Sequence, residues 1–363
     1  MVNLATRLPR DRFAPEFVLL TGRGPLADLV TGDIPIHMLS WHHGDVRFRR
    51  LRRVGDVARY IALMRRRQFH IVDAWLFHAY ALVAATRDAT ATPVVVAGRR
   101  SLSDFKDGFN FINRTLDIVA RRRADAIVAN GEAVRSDVVR REGLAPERID
   151  VIRNGIAPVA DMSVETRRTV RSSWGFGPDD VVVGTVANYK AGKGLEAIID
   201  IAAPARQDVP GLRFVLVGEG SHRQILETMI ADRGLTRHVI LHGHAADARA
   251  LYGAFDIGLQ ASISEGLPNA VLEASAAGLP LVATDAGSTA EIVLDGVTGF
   301  IVPVNGTSLM GDRLVELALS PDLRMAFGTA GRARTAALFG MDRFVMETAA
   351  LYERVWMERG GRR

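Results

Sequence analysis

SISEGLPNAVLEASAAGLPLVATDAG, Ser262 to Gly287, sets two glutamates, Glu265 and Glu273, eight positions apart around a Gly-Leu-Pro-Asn turn. The run before it, DIGLQAS, reads as a buried strand. The chain turns helical at or near Pro268, whose fixed φ and missing N–H suit a helix start, and Gly278 ends the helix NAVLEASAA. Glu265 therefore falls on the loop and Glu273 inside the helix. Eight residues of continuous helix would span roughly 12 Å, too far for both carboxylates to hold one atom or one metal ion. The unpaired amides of the helix N-terminus lie between them and favour phosphate. The implied ligand carries hydroxyls at both ends and negative charge in the middle, the layout of a nucleoside diphosphate sugar.

The same strand-then-helix unit recurs on both sides of this stretch. EFVLLTG, HIVDAW, TPVVVAG, DAIVAN and IDVIRNG are short apolar runs separated by helix-length connections, as in a parallel α/β sheet. The pattern loosens after RNGIAP and restarts with VVVGTVANY, RFVLVGEG, VILHGH, IGLQAS, LPLVATD and GFIVPV. This predicts two doubly wound domains, over 1–155 and 156–335, facing a cleft, with 336–363 as a terminal helix packing across them.

Composition narrows the classes. The 363 residues contain no cysteine, which excludes disulfides, thiolate ligands and a cysteine nucleophile. No segment approaches the roughly 18 uninterrupted apolar residues of a membrane span, and the N-terminus lacks a signal-peptide core, so a cytoplasmic location is expected. Charge is unevenly divided. Residues 1–160 carry 26 Arg and Lys against 17 Asp and Glu, whereas residues 161–363 carry 20 against 24. The basic clusters RFRRLRRVGD, MRRRQ and VARRRAD suit anionic lipid headgroups or a phosphorylated acceptor, or else form solvated arginine-rich faces. No nucleic-acid module is recognisable, so nucleic acid is not an expected partner.

SEGLPNAVLEASAAGLPLVATDAGSTAEIV resembles the donor-site signature of the retaining, metal-independent glycosyltransferases of family 4, also called group 1, which have the GT-B fold. VIRNGI, VGTVANYKAGKGLEAII, LVGEGSHRQILE, VILHGHAADARALYGAFDIGLQAS and GVTGFIVPV follow in the family's order. The resemblance is sharp over 150–305 and fainter over 60–150. It implies that Glu265 binds donor-sugar hydroxyls, that backbone around Gly266, Leu267, Pro268 and Asn269 holds sugar and phosphate oxygens, and that Glu273 holds the ribose. Lys193 matches the lysine that offsets charge on the leaving diphosphate. An arginine common a few residues earlier in the family is replaced here by Asn188, with Lys190 nearby. His242 and Gly243 fall where family backbone meets the nucleotide base.

On the acceptor side, the place of a frequent family histidine is taken by Trp75, with His78 one turn later, and Arg99 and Arg100 follow a strand at its C-terminal end. Family chains usually open with a strand and a Gly-Gly loop before a helix reading like NLA. This sequence begins at that helix, with Asn3-Leu4-Ala5, so the expected fold is GT-B with the first N-terminal strand missing, through either a trimmed variant or a start upstream of Met1.

The resemblance implies hexosyl transfer from a UDP- or GDP-sugar to an acceptor hydroxyl, with retention and with neither cofactor nor metal. The acceptor hydroxyl would attack on the face the nucleotide leaves, and cleft closure would exclude water. It points to cell-surface polysaccharide or glycolipid synthesis, with a sugar or lipid-linked acceptor and peripheral contact at the inner face of the cytoplasmic membrane. Two alternatives stay open: a non-catalytic or truncated nucleotide-sugar-binding relative, and a GT-B nucleotide-sugar epimerase. VGEGSHR reads as a tight strand-to-helix turn rather than a phosphate loop, and Arg153-Asn154-Gly155 as a reverse turn at the domain hinge.

Overall fold

A computed structural model describes residues 1–30, 32–39 and 49–361, with side chains at 25 and 49–54 outside the description. Of the first basic cluster, residues 47 and 48 and the side chains of 49–54 lie outside the described residues.

The chain divides into two compact units, one made of 1–130, 135–152 and 342–363, the other of 131–134 and 153–341. In the first half the elements are α1 (Val2–Ala5), β1 (Phe17–Leu19), β2 (Ile36–Met38), α2 (Arg49–Arg67), β3 (Ile71–Trp75), α3 (Phe77–Thr90), β4 (Val94–Arg99), α4 (Phe111–Arg123), β5 (Ala126–Ala129), α5 (Glu132–Glu142) and β6 (Ile149–Val151). Strands β3-β4-β5-β6 form one parallel sheet in sequence order, and β1 and β2 pair in a separate parallel sheet. Strand β4 is buried along its whole length, which accounts for its unbroken Val94–Ala97 run.

The second half runs α6 (Val164–Ser173), β7 (Val181–Val186), α7 (Leu195–Asp208), β8 (Leu212–Val217), α8 (Arg223–Asp232), β9 (Val239–Gly243), β10 (Ile257–Gln260), α9 (Asn269–Ala276), β11 (Leu281–Thr284), α10 (Thr289–Ile292), β12 (Gly299–Val302), α11 (Thr307–Leu319), α12 (Pro321–Phe339) and α13 (Met341–Glu358). Its six strands are all parallel in the order β12-β11-β10-β7-β8-β9.

Period-two alternation sends consecutive strand residues to opposite faces of this sheet. Val183, Phe214 and Leu216 pack with Ile198, Ile199 and Leu314 on one side. Val182, Val215 and Val217 join Tyr252, Phe255 and Leu272 on the other. Both faces are covered, which is why these strands read as continuous apolar runs.

The expected terminal segment 336–363 is divided between the units. Residues up to Met341 belong to the second unit, and α13 counts with the first, where Tyr352 Oη donates to Asp73 at 2.6 Å and Arg354 pairs with Asp150 at 2.8 Å. An aromatic and a charged side chain of α13 supply these contacts.

Candidate donor and acceptor sites

In the second unit the chain builds β7, β8 and β9 outward in one direction, then returns to lay β10 on the other side of β7. Connections leaving the C-terminal ends of β7 and β10 thus diverge to opposite faces, and the crevice they leave is where open α/β sheets bind ligands. Three loops meet there. Ile263 N donates to Gly192 O at 2.9 Å, joining the loop after β10 to the loop after β7, and Ser288 N donates to Gly266 O at 2.7 Å, joining it to the loop after β11. Two glycines permit this approach. Gly194 has φ +66° and a Cβ there would fall 2.0 Å from Ala261 O, while at Gly287, with φ +59°, it would fall 2.0 Å from Glu265 O.

Lys193 and Glu265 face each other across this junction, Nζ to Oε1 at 2.6 Å, both partly buried. The sequence places them 72 positions apart, and nothing in either motif predicts their direct contact. Helix α9 begins immediately after. Pro268 is its N-cap residue rather than its first helical one, and the first bond of the helix runs from Leu272 N to Pro268 O. The amides of Asn269, Ala270 and Val271 thus precede the intrahelical ladder. The reverse turn expected at Arg153-Asn154-Gly155 is not formed: the segment is irregular, with Ile152 N donating to Ala129 O and Ile156 N to Phe339 O. From it Asn154 Nδ2 donates to Leu267 O at 3.3 Å and Asn269 Oδ1 at 2.7 Å, so this buried asparagine braces the Gly-Leu-Pro-Asn segment.

Glu273, one and a half turns into α9, stands in a different setting. Tyr252 Oη donates to its Oε2 at 3.3 Å. Burial holds the Glu273 carboxyl above the usual range, opposed by the nearby Arg249 charge and the Tyr252 bond and reinforced by Asp247. Asn188 and Lys190 are exposed on the loop after β7. His242 packs its ring 6.0 Å from Trp174, and Gly243 takes φ +85° at the end of β9. The Gly218–Gly220 loop is engaged with protein: Tyr189 N donates to Glu219 O at 2.9 Å and His222 N to Tyr189 O at 3.0 Å.

In the first unit the four acceptor-side candidates lie at the C-terminal ends of β3 and β4, and they separate sharply. Arg100 stacks over the Trp75 ring at 4.1 Å, and burial lowers its guanidinium to about 10 against the pull of Asp73. Asp73 itself is raised by burial, opposed by the hydrogen bond from Tyr352. His78 is exposed on the first turn of α3, its ring 5.3 Å from Phe77.

Arg99 is held inside the protein. It is 4% exposed, stacks on Tyr80 at 4.0 Å and meets Glu142 at 3.4 Å, so a phosphate would have to displace a buried carboxylate to reach it. Adjacent strand residues point to opposite faces, and only Arg100 takes the Trp75 side.

Among the described residues, no three His, Cys, Asp or Glu side chains are grouped to hold a metal ion, and no helix is long and apolar enough to cross a membrane.

The pattern of the family described as Glycosyl transferases group 1 matches residues 166–334, and that described as Glycosyltransferase Family 4 matches residues 1–159. The chain belongs to glycosyltransferase family 4. EpsD of Bacillus subtilis is 30% identical to this family 4 chain over 219 residues, 60% of this chain and 57% of EpsD. Alpha-D-kanosaminyltransferase of Streptomyces kanamyceticus is 28% identical over 244 residues, 65% of this chain and 62% of that enzyme. The chain thus spans less than two thirds of these relatives. The crystal structure of Anabaena Alr3699/HepE in complex with UDP-glucose superposes with a TM-score of 0.83 at 21% identity, covering 97% of this chain and 94% of that one. The fold is accordingly that of the GT-B glycosyltransferases.

Three residues of the second unit carried no signal of their own in the sequence. Tyr252 and Arg249 lie in the connection before β10 and reach Glu273 only through the fold, and Asn154 sits in an irregular segment whose sequence suggests nothing beyond a hinge.

Proposed function

We propose that this chain transfers a sugar from a UDP- or GDP-sugar to an acceptor hydroxyl, with retention of anomeric configuration and without a metal ion. The observation that carries this reading is the Lys193–Glu265 pair at the switch-point crevice, beside the α9 N-terminus, with Glu273 further along the same helix. In the proposed complex Lys193 Nζ and the amides at the start of α9 bind the diphosphate, and Glu265 accepts hydrogen bonds from sugar hydroxyls while Glu273 accepts them from the ribose. Asn188, Lys190, His242 and Gly243 border the nucleotide. The complex of HepE with UDP-glucose supports a nucleotide-sugar donor.

Bond breaking places negative charge on the leaving diphosphate. Lys193 and the helix dipole stabilise that charge where it develops, the part a metal ion plays in other transferases. The acceptor hydroxyl attacks on the same face and gives its proton to the leaving phosphate oxygen, so no protein carboxylate need form a covalent bond. Trp75, Arg100 and His78 are the acceptor-side residues in this reading. The basic excess of residues 1–160 supports an acceptor presented at an anionic membrane face, in cell-surface polysaccharide or glycolipid synthesis.

The test is a panel of UDP- and GDP-sugars assayed for binding by calorimetry and for transfer or slow donor hydrolysis by product analysis with excess chelator present. Binding with turnover of at least one donor is expected. Binding of donors with no turnover, under any acceptor mixture, would leave a nucleotide-sugar-binding protein in place of an enzyme.

The raised Glu273 carboxyl gives a pH signature. The ionised form accepts two ribose hydroxyl bonds and the protonated form cannot, so nucleotide affinity is expected to be full above the raised Glu273 value and to weaken as pH falls through it, starting at higher pH than for an ordinary glutamate. Stability has the opposite sign. A carboxyl held above its unfolded value contributes stability that is complete below the unfolded value and lost as pH rises through the folded one. Calorimetric titration of UDP and GDP from pH 4.5 to 8 with the wild type and Glu273→Gln checks the affinity, and thermal melting of both proteins over the same range checks the stability. A pH slope that survives in Glu273→Gln would assign it to another group.

A further inference from the structure

Helix α4 is amphipathic in the reverse sense. Its only carboxylate, Asp117, points inward to Lys106 Nζ at 2.9 Å and Tyr80 Oη at 3.2 Å, whereas Phe111 is 83% exposed, Ile112 66% and Ile118 40%. Phe105, on the turn leading to the helix, is 48% exposed, and its ring lies 5.6 Å from Phe109. A solvated helix normally turns such residues to the core, and an exposed apolar cluster of this kind marks a binding surface.

The charges flanking the cluster choose among partners. Arg114 and Arg122 are exposed on α4 alongside the apolar residues, and no acidic residue of the helix shares that side. The carboxylates on the neighbouring turn, Asp104 and Asp107, bind Arg141 at 2.7 and 2.8 Å, which offsets their charge. Aromatic and branched apolar side chains bordered by arginines, in a half-chain with an excess of basic residues, match the makeup of helices that lie in the interface of an anionic bilayer.

We infer that the outward face of α4, with Phe105, docks the first unit onto an anionic phospholipid surface. The inference deepens the proposed membrane-linked acceptor by naming the face that reaches the lipid. Phe111, Ile112 and Phe105 enter the headgroup and upper acyl region, and Arg114 and Arg122 pair with lipid phosphates. The cluster is carried on the same unit as Trp75 and Arg100, so docking would bring the acceptor side of the protein to the membrane.

Co-sedimentation of the full chain with vesicles of phosphatidylcholine containing about a third phosphatidylglycerol, against pure phosphatidylcholine, tests it. The wild type is expected to pellet with the anionic vesicles and to release as salt rises well above physiological strength. Phe111→Ser with Ile112→Ser removes two apolar anchors and should weaken binding by about ten- to a hundredfold. Arg114→Glu with Arg122→Glu should weaken it on anionic vesicles and leave the low binding to neutral vesicles unchanged.

Thermal melting and UDP affinity, both measured without vesicles, should match the wild type and show that the variants are folded. Vesicle binding equal to wild type in the Phe111→Ser, Ile112→Ser variant would overturn the inference, as would absence of wild-type binding. A wild-type dimer that this variant converts to monomer, with no vesicle binding, would assign the face to a second copy and overturn it equally. The donor panel is read in solution, so a chain that docks but does not transfer refutes the proposed function and leaves the docking face standing.

Discussion

Glu265→Ala and Lys193→Ala are each expected to lower kcat/KM for sugar transfer by about two to three orders of magnitude, the usual consequence of removing one preorganised group that meets charge or hydroxyls in the transition state. The two are bonded to each other at 2.6 Å, so each variant removes two things at once: the donor contact of the proposed complex and the partner that holds the other group in place. The double variant should therefore fall only slightly below the worse single one, far short of the product of the two losses.

Binding separates the roles that turnover merges. Lys193→Ala should weaken the bare nucleoside diphosphate, because in the proposed complex the lysine contacts phosphate. Glu265→Ala should weaken the bare nucleotide less than Lys193→Ala does, through the freed lysine alone, and weaken the sugar-bearing donor more. Calorimetry with UDP, GDP and their sugar conjugates, followed by turnover of whichever donor binds, reads all of this. Transfer by Glu265→Ala within about threefold of wild type would remove it from the site. Equal loss of bare-nucleotide affinity in both variants would mean that Glu265 acts only by positioning Lys193.

That pair also marks where sequence reading stopped. The strands of both units were legible because sheets covered on two faces leave continuous apolar runs such as Val94–Val96 and Val181–Val183. The loop and helix carrying Glu265 and Glu273 were legible because Pro268 and Gly278 punctuate them. Strand β2, Ile36–Met38, was not: three residues after a proline, only partly buried, offer no alternation to detect. The contact between Lys193 and Glu265 depends on β7 and β10 lying side by side, a fact of topology that neither motif contains.

Arg99 and Arg100 show the same limit in reverse. In sequence they are one dipeptide at a strand end. In the fold the pleat turns one to Trp75 and the other to Glu142, a carboxylate 43 positions away whose role no local pattern announces. Asn154 likewise reads as a turn residue, and only its position beside the Gly-Leu-Pro-Asn segment in the fold gives its amide two acceptors.

Glu142→Ala is expected to be the most destabilising single substitution at a charged position in the first unit, by about 3–5 kcal/mol. Glu142 is 3% exposed and collects three cations: Lys106 Nζ at 2.5 Å, Arg99 at 3.4 Å and Arg121 at 3.8 Å, the last also donating to the Glu142 backbone oxygen. Among the described residues only one other carboxylate, Asp117, is bonded to these cations in the same cluster. Removing Glu142 leaves three largely buried positive charges around a single negative one, and the cost of that imbalance, rather than the value of any one ion pair, sets the magnitude. For a unit of this size the loss corresponds to a fall in melting temperature of roughly 10 °C.

Glu142→Gln keeps the shape and some hydrogen bonding while removing the charge, so it should fall between Ala and wild type. Replacing Arg99 by Met in the Glu142→Gln background should recover part of the loss, because it takes away one of the uncompensated cations. Differential scanning calorimetry of the four proteins checks the order. A Glu142→Ala midpoint within about 1 °C of wild type would show that water reaches the cluster and screens it. UDP affinity measured well below the melting range should be unchanged throughout, because Glu142 belongs to the unit that lacks the Lys193–Glu265 pair. Loss of nucleotide binding in step with melting temperature would instead require the two units to share one cooperative core.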